Sequence, residues 1–311
     1  MISDKLSAKY SVVTKINEAS ILNMGDKVVA LVFSGEGNKI SSKTAEWAAN
    51  ALKEIEDKYN GVVVFGNDEN LCSGNAVESN EDLANCAKAF QSLTTTIRHY
   101  SKPVVTLLKG QSVGFGYEIA LNSHAVIACP KVVKFGYDFS QGLTPMGGGL
   151  TAQIIDTYAI GDNVAGHDII PFLKVLLNNV YAPKKVESIF EAKAKDLLPK
   201  NTFIIKEDED IIEKGKQKVL NMFNEGFDKV EQKSVTVSGT TGRAALEITI
   251  VNRYEGLFMP KAIYQVALKI AGIICGGNVP KKTLILEQQF LNLEAQAFAS
   301  VVEQKRNEVI K

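Results

Sequence analysis

The segment from Ser101 to Leu150 constrains the fold more than any other part of the chain. It begins with an apolar run of strand length, Pro103 to Leu108, which leads into a glycine-rich turn, Gly110 to Gly116. A short apolar helix that carries one carboxylate, Glu118, comes next, and a second apolar run starts at His124. This order of strand, tight turn, helix and strand predicts an α/β unit with a carboxylate close to its turn.

A second glycine-rich segment with its own carboxylate, Asp138, follows this unit. Backbone N–H groups in the first turn of a helix have no partner within the helix, and glycine lets a ligand approach them closely. Gly114, Phe115 and Gly116 occupy that turn, about one helical turn from Glu118. The pattern therefore predicts an anion hole beside a group that can transfer a proton.

These residues resemble a known family. GQSVGFGYEIAL resembles the G-x-x-x-G-G-G-x-E-L helix start of the crotonase (enoyl-CoA hydratase/isomerase) superfamily, and FGYDFSQGLTPMGGG resembles its following F-G-x-P-E-x-x-x-G-x-x-P-x-x-G-G motif. Upstream, NLCSGNAVES resembles the family loop F-x-A-G-A-D-L. The resemblance places Glu118 on the first catalytic glutamate, and Asp138 on the second when one loop residue is deleted.

The resemblance also implies the rest of a thioester site. The backbone N–H groups of Asn75 and Phe115 would bind the thioester oxygen. The implied substrate-binding positions are Cys72, Ser73, Gly74, Gly114, Gly142 and Pro145. The chain departs from the family pattern by an aspartate at Asp138, by Phe115 in place of a glycine, and by Ala76 in place of an aspartate. The bulky ring of Phe115 must be accommodated near the site, and one candidate location is the acyl pocket.

The implied activity is hydration of 2-enoyl-CoA thioesters in fatty-acid oxidation, with Glu118 and Asp138 as the two proton-transfer groups. Two alternatives stay open. An enoyl-CoA isomerase could work with one carboxylate, and a catalytically silent acyl-CoA-binding subunit would need neither. The two carboxylates also have non-catalytic alternatives. Glu118 could be a surface glutamate on an amphipathic helix, and Asp138 could be a turn or helix-cap residue. His124 is interpreted as a packing residue.

Composition narrows the class of protein. The chain has 311 residues, 45% of them hydrophobic and 23% charged, and a formal net charge of +0. We therefore expect an ordinary globular protein with neither nucleic-acid nor membrane partners. The N-terminus lacks the pattern of a secretion signal, so a cytoplasmic location is expected. The four cysteines form no C-x-x-C pair, so no metal site is expected, and without a G-x-G-x-x-G motif no NAD cofactor either.

Alternating strand-like and helical patterns predict an α/β fold with mainly parallel pairing. The resemblance narrows this to a crotonase-like spiral of repeated β-β-α units in residues 1–200, followed by a mainly helical C-terminal region, 201–311. There, the charged block EDEDIIEKGKQK indicates a surface helix, and Ser234 to Arg243 resembles a linker. Two further helices are predicted, from Pro260 to Cys275 and from Lys281 to about Lys305.

The C-terminal region also carries a narrower resemblance. ICGGNVPKKTLILEQQFLNLEAQAF resembles the end of the crotonase-type half of two-part 3-hydroxyacyl-CoA dehydrogenase/enoyl-CoA hydratase enzymes. This implies that a separate 3-hydroxyacyl-CoA dehydrogenase supplies the next step. The family also implies a homo-oligomer, either a trimer or a dimer of trimers, and CoA as part of the substrate with no further cofactor.

Overall fold

The computed structural model describes residues 9–67, 71–76, 82–137, 139, 143–162, 168–181, 188–257 and 259–309. Its contacts group the chain into two compact units, each made of several segments. The first unit contains residues 1–81, 89–136 and 184–231, and the second contains 82–88, 137–183 and 232–311. The division of domains near residue 200 stays a prediction.

The elements alternate along the chain as expected for an α/β protein. The strands are β1 (Ser11–Lys15), β2 (Ala19–Asn23), β3 (Val28–Phe33), β4 (Ile40–Ser41), β5 (Gly61–Phe65), β6 (Asn75–Ala76), β7 (Val104–Val113), β8 (Ala125–Gly136), β9 (Thr202–Ile204), β10 (Ser234–Thr236) and β11 (Leu284–Leu286). The helices are α1 (Ser42–Ile55), α2 (Leu83–Arg98), α3 (Phe115–Asn122), α4 (Gly149–Asp162), α5 (Ile170–Tyr181), α6 (Ile189–Ala194), α7 (Ile211–Asn224), α8 (Gly239–Leu257), α9 (Lys261–Ile274) and α10 (Glu287–Val309).

The first unit is built on a seven-stranded sheet with the order β1-β2-β3-β5-β7-β8-β9. The β1-β2 and β2-β3 pairs are antiparallel, and all pairs from β3 to β9 are parallel. β3 and β5 are buried along their whole length, as their unbroken apolar sequences VVALVF and GVVVF require of central parallel strands. The predicted α/β class with mainly parallel pairing is confirmed.

Helix α7, predicted to lie on the surface, packs one face against this sheet. A Cβ at Gly215 would come within 2.6 Å of Leu107 Cδ2, so the missing side chain lets the helix approach the strand closely. Val219 is fully buried on the same face. Lys216, on the same helix, donates to the Met24 carbonyl at 2.8 Å and forms an ion pair with Asp26 at 2.7 Å.

The linker predicted at residues 234–243 is wrong. Ser234 to Thr236 form β10, which pairs antiparallel with β11, and the central residue of β10, Val235, is buried. Gly239 begins α8 with φ +57°, and a Cβ there would come within 2.4 Å of the Val279 carbonyl oxygen. The glycines and hydroxyl side chains that resembled a linker instead allow this close turn.

The last helix begins at Glu287, six residues later than Lys281, because Leu284–Leu286 is extended and pairs with β10. Helix α9 agrees with the predicted helix from Pro260 to Cys275, and Pro260 is its N-cap. Within the described residues, no helix combines the length and the apolar character that crossing a membrane requires.

Candidate active site

Two segments about forty positions apart in sequence meet at the end of β7. The Leu71 N–H donates to the Gln111 carbonyl at 3.0 Å, and the Val113 N–H donates to the Cys72 carbonyl at 3.1 Å. Cys72 thereby forms a parallel bridge with Ser112. The loop that carries Cys72, Ser73, Gly74 and Asn75 thus lies beside the glycine-rich start of α3, as the resemblance implied.

The start of α3 depends on Gly114, whose φ of +57° and ψ of −119° exclude an ordinary side chain. Its N–H donates to the Gly136 carbonyl at 3.0 Å, and its own carbonyl accepts the Glu118 N–H at 3.1 Å. A Cβ at Gly114 would come within 2.9 Å of Asn75 Oδ1. This position therefore requires glycine both for its backbone angle and for its contact with Asn75.

The predicted oxyanion donor Phe115 is already hydrogen-bonded within the protein. Its N–H donates to the side-chain oxygen Oδ1 of Asn75 at 2.9 Å. The sequence pattern assigned a role only to the backbone of Asn75, and gave no indication that its side chain reaches the helix start. An oxygen atom of the protein thus occupies the position at which the resemblance placed a thioester oxygen.

The strand pairing of Asn75 shows the direction of its backbone N–H. β6 pairs in parallel with β4, with Asn75 opposite Ile40, and the Ile40 N–H donates to the Gly74 carbonyl at 3.2 Å. In a parallel pair, a residue such as Ile40 bonds the residues before and after its partner on the other strand. The partner itself directs its own N–H away from the first strand. The Asn75 N–H therefore points away from β4.

Glu118 lies in the first turn of α3 and is 1% exposed. Its backbone carbonyl accepts a hydrogen bond from Asn122 Nδ2 at 2.8 Å. The alternative of a surface glutamate is wrong, because the side chain is buried. The carboxylate thus lies buried about one helical turn from the Phe115 N–H.

The Phe115 ring packs inside the first unit. It is fully buried, and its centroid lies 4.4 Å from that of Phe90 on α2 in an edge-to-face arrangement. Phe90 on α2 therefore packs against the ring that stands where the family pattern has a glycine, and the acyl pocket is not needed to explain the position of this ring. The Phe115 backbone keeps its N–H at the helix start.

Cys72 fixes the distance between the loop and α3. Its thiol donates to the Gly74 carbonyl at 3.1 Å and accepts the Gly74 N–H at 3.4 Å. Burial raises the pKa of Cys72 to about 11, so the side chain stays a neutral thiol at physiological pH. A Cβ at Gly116 would come within 2.4 Å of Cys72 Cβ, so the helix approaches the loop as closely as glycine permits.

His124 has the packing role expected of it. Its Nδ1 accepts the Val104 N–H at 2.9 Å, and its Nε2 lies 2.9 Å from the Arg98 carbonyl, to which a protonated Nε2 donates. Burial lowers the pKa of His124 to about 4. The neutral ring therefore joins the ends of α2, β7 and β8.

Of the remaining predicted positions, Pro145 is buried in the second unit, whereas Asp138 and Gly142 lie outside the described residues. The structure therefore leaves both as predictions. Within the described part of the chain, no group of three or more His, Cys, Asp and Glu side chains is placed to hold a metal ion.

Sequence reasoning missed Glu294, a fully buried carboxylate on α10. It accepts the Gly148 N–H at 2.9 Å together with the N–H and hydroxyl of Thr151. The carboxylate thereby caps the start of α4, directly after the glycine-rich motif that contains Pro145. Its position between Leu291 and Phe298 could have indicated this role. A carboxylate within the apolar stripe of a helix is buried and therefore needs hydrogen-bond partners.

Glu294 should make the stability of the protein depend on pH. Burial raises the pKa of Glu294 from its ordinary value of 4.5 to about 7, against the opposing effect of its hydrogen bonds. The folded state therefore holds this proton more tightly than the unfolded state. Its stabilising contribution is complete below pH 4.5 and is lost as the pH rises through the raised pKa.

We expect Glu294→Gln to remove the loss of folding stability between low and high pH. Urea unfolding at pH 5 and pH 8 would measure this difference. Glu303→Gln, an exposed change on the same helix, is the matched control and should keep the pH dependence of the unchanged protein. If Glu294→Gln keeps it as well, another group is responsible.

Comparisons with known proteins give a family match for part of the chain and solved structures with a similar fold. Residues 28–165 match the family model described as enoyl-CoA hydratase/isomerase. An enoyl-CoA hydratase from Mycobacterium avium subsp. paratuberculosis K-10 aligns with a TM-score of 0.53 and 16% identity over 92% of this chain and 100% of that one. An enoyl-CoA hydratase from Bacillus anthracis aligns with a TM-score of 0.52 and 16% identity over 82% and 89%. At this identity the two structures show a shared fold.

Two Bacillus subtilis proteins are similar in sequence. One, named "Probable 3-hydroxyacyl-CoA dehydrogenase", is 26% identical over 95% of this chain, which spans 38% of the length of that protein. Another, named "Probable enoyl-CoA hydratase", is 24% identical over 54% of this chain and 71% of its own length. The segment of residues 28–165 is therefore similar to the enoyl-CoA hydratase/isomerase family, and the chain shares the fold of the two solved structures.

Proposed function

We propose that the protein is an enoyl-CoA hydratase that adds water to 2-enoyl-CoA thioesters in fatty-acid oxidation. The observation that supports this most is the placement of buried Glu118 one helical turn from the Phe115 N–H, beside the loop that carries the Asn75 N–H. The Phe115 and Asn75 N–H groups are proposed as the donors to a thioester oxygen, the first of them once the Asn75 side chain has moved, and Glu118 as a carboxylate for proton transfer.

The proposed reaction assigns one task to each group. The two N–H groups bind the thioester oxygen, which gains negative charge as the water oxygen bonds to Cβ. One carboxylate takes a proton from that water and the other delivers a proton to Cα, so that H and OH are added across the double bond. Glu118 is one of the two, and Asp138 is proposed as the other from the resemblance alone.

The product would be a 3-hydroxyacyl-CoA, which a separate 3-hydroxyacyl-CoA dehydrogenase would oxidise. The name of the longer Bacillus subtilis relative supports this pairing of activities. We further propose a cytoplasmic homo-oligomer, either a trimer or a dimer of trimers, with no cofactor besides the CoA of its substrate. Neither nucleic acid nor membrane is proposed as a partner.

Two assays test the proposed function on the full chain. Calorimetry with acetyl-CoA should show binding, and crotonyl-CoA should lose its enoyl thioester absorbance as it is hydrated. Migration of the double bond in a 3-enoyl-CoA without hydration of crotonyl-CoA would instead indicate an isomerase. Binding without any turnover would indicate a silent subunit, and no binding at millimolar acetyl-CoA would overturn the proposal.

A further inference from the structure

The side chain of Asn75 occupies the proposed oxyanion hole. Its Oδ1 is a carbonyl oxygen, as the oxygen of a thioester is, and it accepts the Phe115 N–H at 2.9 Å. One N–H group has a single hydrogen to donate along a good hydrogen-bond direction. A thioester oxygen and Asn75 Oδ1 therefore compete for the same donor.

The surroundings hold the amide of Asn75 in this position. Its backbone is fixed by pairing with Ile40, and Oδ1 lies where a Cβ on Gly114 would be only 2.9 Å away. Glycine at position 114 thus leaves the space that the side-chain oxygen fills. The side chain itself is only partly buried, so it can leave the donor by rotating about its own bonds without moving the backbone.

We propose that the Asn75 side chain is an internal occupant of the oxyanion hole that an acyl-CoA must displace and that free CoA leaves in place. Asn75 is then a specificity-determining residue that sets how strongly the site distinguishes a thioester from the free thiol. A free thiol has no carbonyl oxygen to replace Oδ1, so its binding needs no rearrangement. This inference rests on the proposed function of the site.

Binding of a thioester exchanges the hydrogen bond between Asn75 and the Phe115 N–H for one between the thioester oxygen and the same N–H. In the unchanged protein, a bound thioester gains the Phe115 N–H and loses the bond that Asn75 made to it. In Asn75→Ala the donor is vacant while the backbone N–H of residue 75 remains. Butyryl-CoA, a saturated ligand that cannot be hydrated, should therefore bind about threefold to tenfold more tightly to the variant. Free CoA should bind with the same affinity within about twofold.

Asn75→Asp should act in the opposite direction. An ionised carboxylate of the same shape accepts the Phe115 N–H more strongly than an amide does. The ratio of the butyryl-CoA affinity to the free CoA affinity should then fall at least about threefold, and using the ratio cancels any effect of the new charge on the CoA moiety. Asn224→Ala, an exposed change at the end of α7, is the control and should leave the ratio unchanged.

Calorimetric titration of the full-length variants with butyryl-CoA and with free CoA tests the inference. A purely structural role, in which Asn75 only caps α3, predicts a melting temperature lower by about 2–4 °C in Asn75→Ala and no change in the ratio of affinities. An unchanged or reduced ratio in Asn75→Ala would overturn the inference while leaving the proposed function intact. If the unchanged protein binds neither ligand, the proposed function itself fails.

Discussion

Glu118→Gln is expected to slow the hydration of crotonyl-CoA at least about a hundredfold, the scale of losing a general acid or base. Glutamine has nearly the shape of glutamate, so the buried position of residue 118 should be kept while its capacity for proton transfer is lost. The backbone bond from the Glu118 N–H to the Gly114 carbonyl does not depend on the side chain. Binding of butyryl-CoA should accordingly persist, which separates a chemical role from a loss of fold.

Glu46→Gln is the matched control for this prediction, because it makes the same chemical change at an exposed position on α1. It should leave the rate unchanged. Asp138→Asn should also slow hydration about a hundredfold if both carboxylates handle the water. In an isomerase, one of the two changes should abolish double-bond migration and the other should have little effect. Full activity of Glu118→Gln would contradict the assignment of this residue.

Asp138→Glu tests whether the shorter side chain at position 138 limits the hydration rate. If the shorter acid only weakens the site, the added methylene should raise the hydration rate. A site that is built around aspartate should lose activity on this change. The comparison uses the same absorbance assay as the other variants.

Gly116→Ala is expected to lower both stability and rate. The added methyl group would lie 2.4 Å from Cys72 Cβ, so α3 and the loop of residues 71–76 would have to separate. Overpacking of this kind costs about 1–3 kcal/mol. A shift of about 1 Å between the two N–H donors and the substrate should reduce the rate about a hundredfold. Thermal unfolding and the crotonyl-CoA assay measure the two effects.

A second change tests whether contact with Cys72 is the cause. Cys72→Gly removes the Cβ that the new methyl group would meet, so Gly116→Ala should cost less stability in the Cys72→Gly protein than in the unchanged protein. Gly256→Ala is the control for loss of a helical glycine, because a Cβ there meets no atom within 4 Å. It should be neutral or slightly stabilising. Equal losses in Gly116→Ala with and without Cys72→Gly would exclude the contact as the cause.

The sequence alone determined the elements that depend on local backbone conformation or on a simple pattern of apolar residues. VVALVF and GVVVF are unbroken apolar runs of strand length and indicated buried strands, and the apolar spacing between Ile40 and Tyr59 indicated one face of a helix. The glycines before Phe115 likewise indicated a close turn into a helix, since the turn depends on local backbone angles. The family motifs then named the carboxylate of Glu118, which the structure places in a buried position.

The tertiary structure decided everything that depends on a distant partner. Ser234–Thr236 resembled a linker because β10 is stable only when paired with Leu284–Leu286, about fifty positions away. The role of Glu294, within the apolar stripe of α10, could not be predicted because its partners Gly148 and Thr151 are more than 140 positions away. The same is true of Asn75: residue spacing could locate its backbone beside α3, but only the folded chain could bring its side-chain oxygen to the Phe115 N–H. Hydrogen bonds between remote segments depend on three-dimensional position, which local sequence patterns do not encode.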